Sequence, residues 1–265
     1  MSRSLLAPLI AVLFLTLGLQ KCLAKDDFCF YSPGKLDPKD NPAAGDMDRT
    51  IYIPSLQFPL KVGPGPALKA HLNSQIYGYG GMLGPGGSLS DPRNYSGCWR
   101  DTYCEGHRTW KMPLCPLHIG HQGDDIRPDG PEDNKYEAIA FSNGYVALVT
   151  KNTTVIVIGD DGTECRYLHL NPESIKQSVH VGQRVKAGQS IIGRVSDWMN
   201  GTQHGTSRHL HFDCAQTVSF NGSSADKVHV PVYTSLILSY AQIWGFNDIK
   251  SAGDQLLQGS TYEQP

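Results

Sequence analysis

From Tyr136 to Gln216 the chain breaks into short apolar runs, each closed by a turn signal, and this rhythm limits the fold more than any other feature. Tyr145–Thr150 alternates apolar residues, and Thr153–Ile158 is β-branched throughout. Asp160-Asp161-Gly162 is a hairpin turn, and Thr163–Leu170 is its partner strand. Val179–Val185, Ser190–Val195 and Arg208–Cys214 continue the series. The spacing predicts an all-β fold, mainly antiparallel sheet, with long loops and a C-terminal helix. That helix is placed over Val232–Trp244, where apolar residues recur at helical spacing. Val181–Ile191 has glycines flanking a short basic turn and reads as a β-hairpin.

The N-terminal half differs. Arg3 followed by the uncharged apolar run Leu5–Leu19 and by Cys22-Leu23-Ala24 reads as a secretory signal over residues 1–24. The run is short for a membrane span. Its removal takes two of the 23 basic residues and none of the 25 acidic ones, moving the formal charge from −2 to −4. That balance argues against nucleic-acid binding and against attachment to an anionic membrane. Of the seven cysteines, Cys22 leaves with the signal, and an even six remain: Cys29, Cys98, Cys104, Cys115, Cys165 and Cys214. In a secreted chain an even set favours disulfides, and no C-x-x-C pair suggests a thiolate metal site. Residues 25–115 are dense in Gly and Pro, which predicts a loop-rich region with few regular elements. The chain therefore divides into a signal (1–24), that region (25–115), a β domain (116–220) and an extension carrying one helix (221–265).

Chemistry concentrates in two segments, His121 to Asp125 and His209 to His211. Strand side chains alternate faces, so residues two or four apart share a face. His121 can then pair with Asp125, and His209 with His211, while Asp124 points away. If the segments meet, imidazoles and one carboxylate converge, a donor set that suits Zn²⁺ with one position left for water. No His-Glu-x-x-His helix supplies a glutamate base, so histidines must move the protons. His209 is one candidate. His169, in Tyr167-Leu-His-Leu170, is the other, although local sequence alone reads it as an ordinary strand histidine. His118 and His204 read as loop residues, and His229 has no partner pattern.

These residues resemble the lysostaphin-type zinc metallopeptidases, the family that includes lysostaphin and LytM. The H-x-G-x-D motif matches His121 to Asp125, Y-x-H-L matches Tyr167 to Leu170, and H-L-H-F matches His209 to Phe212. The glycine-flanked hairpin matches Gly182–Gly193, and all four occur in family order. The resemblance implies that His121, Asp125 and His211 bind one Zn²⁺ per chain. It implies that His169 and His209 are the catalytic histidines outside the ligand set. It implies a lysostaphin/LytM-like metallopeptidase fold and peptidoglycan peptides as substrate, cut by a secreted or periplasmic zinc metalloendopeptidase. On neighbouring antiparallel strands, Cys165 and Cys214 would lie nearly opposite, and a disulfide between them is expected. The competing expectations are an inactive relative that binds cell wall or activates another hydrolase, and the same centre acting on a Gly-rich protein.

Overall fold

The computed structural model describes residues 28–37, 40–63, 69–74, 76–77, 87–106, 109–219 and 225–244. The expected secretory signal lies outside the described residues.

The strands are β1 (Ala70–Leu72), β2 (Asp124–Pro128), β3 (Glu137–Ile139), β4 (Gly144–Thr150), β5 (Thr154–Gly159) and β6 (Glu164–Leu168), followed by β7 (Arg184–Val185), β8 (Ile191–Arg194), β9 (Leu210–Val218) and β10 (Asp226–Val230). The helices are α1 (Pro172–Ser178) and α2 (Tyr233–Ile243). An eight-stranded sheet runs β1-β2-β9-β6-β5-β4-β7, and β10 also pairs with β9. Every pairing in it is antiparallel. The all-β expectation therefore holds, and β3 with β8 forms a second, two-stranded sheet.

Strand β9 organises the molecule. Its first residues pair with β2 (Asp125 opposite His211) and its last with β10 (Val230 opposite Cys214), while β6 runs along its other edge. Leu210, Phe212 and Cys214 face the apolar core. By alternation, His209, His211 and Asp213 face the other way. Cys165 lies directly opposite Cys214 in the β6–β9 register, and the two form the expected disulfide. Cys29–Cys98 and Cys104–Cys115 use the remaining cysteines.

The core extends well beyond the sheet. α2 buries Tyr233, Leu236, Ile237, Tyr240 and Ala241, one stripe at helical spacing. This stripe meets aromatic residues from the loop-rich region: the Tyr240 ring lies 4.7 Å from Trp99, 4.9 Å from Phe28 and 5.1 Å from Phe58. Trp99 satisfies its indole nitrogen by donating to the Ala70 carbonyl at 2.9 Å.

Four elements differ from the sequence reading. Pro172–Ser178 is a helix, started by Asn171, whose side chain accepts from the Ser174 amide, with Pro172 in the first turn. The helix ends at Ser178 and a turn at Val181-Gly182 follows, so the strand expected over Val179–Val185 shrinks to Arg184–Val185. The expected hairpin over Val181–Ile191 is a connection between sheets, because β7 pairs with β4 and β8 with β3. Finally, β10 precedes the C-terminal helix, and its apolar content is too low to stand out: Asp226, Lys227 and His229 leave only Val228 and Val230.

Candidate metal centre

Strands β2, β6 and β9 bring the separated motifs to one place. Asp125 lies opposite His211, and Leu168, the last residue of β6, lies opposite His211 on the other side. His121 Nε2, Asp125 Oδ1 and His211 Nδ1 face one another: the carboxylate oxygen is 3.6 Å from His121 Nε2 and 3.1 Å from His211 Nδ1. These three residues form a compact donor group of the kind that can hold a metal ion. All three are buried.

His121 does not share a strand with Asp125, as the spacing suggested. β2 starts at Asp124, and His121 precedes it in a loop. That loop is held by pairing with the N-terminal region: Cys104 donates to the His121 carbonyl at 3.0 Å, and His121 donates to the Glu105 carbonyl at 3.2 Å. Gly120 permits the approach. Its φ is +150°, and a Cβ there would lie 2.7 Å from the Cys104 backbone. Asp124 points away from the centre, as expected. It accepts from the Thr102 amide at 3.1 Å and is fully buried, which pushes its carboxyl up to about 7.

His169 and His209 complete the group. Their rings lie 4.6 Å apart, the same separation as His121 and His211. His209 Nε2 is 3.3 Å from Asp125 Oδ1, nearer than His121 Nε2. His169 follows the end of β6 in a left-handed conformation (φ 64°), which turns its side chain off the strand direction. The Ser196 amide donates to its carbonyl at 2.9 Å and fixes this turn.

Hydrogen-bond accounting gives three of the four imidazoles a definite tautomer. His121 Nδ1 is 2.9 Å from the Thr102 carbonyl, His169 Nδ1 2.9 Å from the Trp198 carbonyl, and His209 Nδ1 2.8 Å from the Ser207 carbonyl. A carbonyl only accepts, so each Nδ1 carries the proton and each Nε2 keeps its lone pair. His211 differs, because both of its nitrogens face carboxylates: Nε2 that of Asp213 at 2.9 Å and Nδ1 that of Asp125 at 3.1 Å. Burial and neighbours reinforce this. Burial lowers His169 well below the usual imidazole range, and the nearby His209 and His211 add to that; burial also lowers His209, against the Asp125 charge. For His211 burial is outweighed by Asp125 and Asp213, which hold it up at about 9 in the metal-free centre. Asp125 is buried yet held well below the carboxylate range by His209 and His121.

The surroundings include groups that no motif marked. Thr102 serves His121, Asp124 and Asp125 at once, the last by accepting the Asp125 amide at 2.9 Å. Trp110, half-exposed on the loop closed by Cys104–Cys115, stacks on His121 with 6.2 Å between rings. Asp213 had a legible signal, its two-residue spacing from His211; Thr102 and Trp110 sit in irregular chain and had none. His118 is exposed on its loop, and His204 lies outside the group, bonded to Asp197 at 2.8 Å.

The model for peptidase family M23 matches residues 120–226. Among solved structures, the chain is similar to a protein assigned as the glycyl-glycine endopeptidase LytM of Ruminococcus gnavus, with 20% identity, 73% of this chain and 63% of that chain covered, and a TM-score of 0.44. It is also similar to a zinc-containing peptidase of Vibrio cholerae, with 23% identity, 45% and 33% coverage, and a TM-score of 0.30. A variant catalytic domain of the prophage-encoded M23 protein EnpA of Enterococcus faecalis gives 21% identity, 42% and 75% coverage, and a TM-score of 0.30. The chain spans less than two thirds of the first two proteins. No curated protein matches the sequence.

Proposed function

Residues 120–226 belong to peptidase family M23, and from that premise we propose that this chain is a zinc metalloendopeptidase that hydrolyses peptide bonds in bacterial peptidoglycan. One observation carries the reading. Four imidazoles have one nitrogen tied to a fixed acceptor, and the other nitrogens of His121, His209 and His211 converge on Asp125 Oδ1 at 3.6, 3.3 and 3.1 Å. Imidazole nitrogens and a carboxylate oxygen at this spacing are a donor set that suits Zn²⁺.

His121 Nε2, Asp125 and His211 Nδ1 would hold Zn²⁺, one per chain. Bound there, zinc polarises a carbonyl and makes its water acidic near neutrality. The chain's own residues do the rest. His169 and His209 stay neutral at pH 7 because burial disfavours their charged forms. Each therefore offers an Nε2 lone pair as a proton acceptor. One takes the proton from the attacking water, and the other meets the developing charge or passes a proton to the leaving amine. Trp110 offers an exposed ring beside His121 against which a bound peptide can rest.

Three disulfides support an oxidising compartment, secreted or periplasmic. Among the described residues no helix is long and apolar enough to cross a membrane.

Incubating the purified protein with peptidoglycan, followed by mass spectrometry of the fragments, tests the proposal and identifies the bond. New amino termini that appear with zinc and vanish with a chelator are expected. His209→Ala should keep its zinc and lose activity by about 100-fold or more. Full activity in that variant, or no cleavage by the zinc-loaded parent, would refute the reading.

A further inference from the structure

Behind His211 lies a closed polar ring whose members come from three strands and a loop. Asp213 Oδ2 faces His211 Nε2 at 2.9 Å, and its Oδ1 accepts from Arg166 Nε at 2.7 Å. Arg166 Nη2 also donates to Gln122 Oε1 at 2.7 Å. Gln122 Nε2 lies 3.1 Å from His229 Nε2, and His229 Nδ1 lies 3.1 Å from Asp213 Oδ1, off the line of a good hydrogen bond. Register explains the gathering: Arg166 is directly opposite Asp213, and His229 is opposite Ala215.

The protons in this ring admit one arrangement. Arg166 only donates, so the Gln122 oxygen faces it, and the Gln122 amide nitrogen donates to His229 Nε2. His229 then carries its proton on Nδ1, toward Asp213. Every neighbour of Asp213 thus presents a donor, as a fully buried carboxylate requires. Because the carboxylate accepts only, His211 must keep a proton on Nε2, so Nδ1, 3.1 Å from Asp125 Oδ1, is the nitrogen it can give up to an ion.

We propose that Asp213 is a positioning residue for the metal centre: held by Arg166, it keeps the proton on His211 Nε2 and fixes the orientation in which His211 offers Nδ1 to the ion. The inference rests on the zinc reading above and extends it to residues outside the motifs. His229 lies beyond the segment that the family model matches, so strand β10 adds a polar neighbour behind the centre through its contact with Gln122.

Asp213→Asn is the test. The new amide must turn its oxygen to Arg166, so its NH₂ faces His211 Nε2. His211 then has to carry its proton on Nδ1, pointed at the ion. Zinc affinity, measured by competition with a chelator, should fall by about 10- to 100-fold. Asp213→Glu, which keeps a carboxylate, should recover part of that loss. Proton–nitrogen spectra of the cadmium-loaded parent need no variant, and should show the ion coupled to His211 Nδ1 with a proton on Nε2. Zinc affinity in Asp213→Asn within twofold of the parent, or coupling through His211 Nε2, would overturn the proposal. A parent that takes up no metal overturns the zinc reading too, whereas a parent that binds zinc with an indifferent Asp213→Asn removes only the positioning role.

Discussion

An imidazole has two nitrogens, and which one is bare decides what it can do. In this protein the choice is made by acceptors outside the motifs: the carbonyls of Thr102, Trp198 and Ser207, and the carboxylate of Asp213. The residues that converge were legible in the sequence: strand alternation pointed to His121, Asp125, His209 and His211, and motif order added His169. The acceptors were mostly not legible, since a backbone carbonyl leaves no trace in residue type. The reasoning from alternation also reached a true contact by a false route, because His121 is set by a loop rather than by β2. One consequence concerns pH. His211, held at about 9 by its two carboxylates in the free centre, is protonated at pH 7 and must lose that proton to bind through Nδ1. Zinc affinity should therefore rise by about tenfold per unit between pH 7 and 9, as for one displaced proton. Calorimetry in buffers of different ionisation enthalpy measures the proton released; affinity that is flat over this range would contradict the assignment.

At the scale of elements, the strands from β4 to β6 were readable because their apolar residues are β-branched and their turns explicit. α2 was readable from its stripe. α1 was hidden by its brevity, although Asn171-Pro172-Glu173 is a recognisable helix start. β10 was hidden by its low apolar content, with only Val228 and Val230 among its five residues. The pairing of β6 with β9 carries most of the site, and Cys165–Cys214 locks it at a point where both residues face the core. Replacing both cysteines with Ala should lower the unfolding free energy by about 2–4 kcal/mol. Denaturant titration checks this, and a loss under 1 kcal/mol would show that the ladder is set without the crosslink.

Over the whole molecule, the loop-rich region is not an appendage to the sheet. Phe28, Phe30, Ile53, Leu56, Phe58 and Leu60 share one continuous core with Trp99, the sheet and α2. We propose the division into 25–115, 116–220 and 221–265 as a map of where the chemistry is carried, with the core drawn from all three. A chain lacking residues 1–60 should leave the Trp99 and Tyr240 rings uncovered and lose cooperative thermal unfolding, followed by circular dichroism. A sharp transition near that of the full chain would place the stability in the sheet alone. These layers serve one end, the gathering of distant side chains on the face of β9. A crystal of the zinc-loaded protein, with anomalous data collected on both sides of the zinc edge, measures this most directly. One ion per chain bound by His121 Nε2, Asp125 and His211 Nδ1 is the predicted result, and zinc absent from that point or bound without His211 would contradict it.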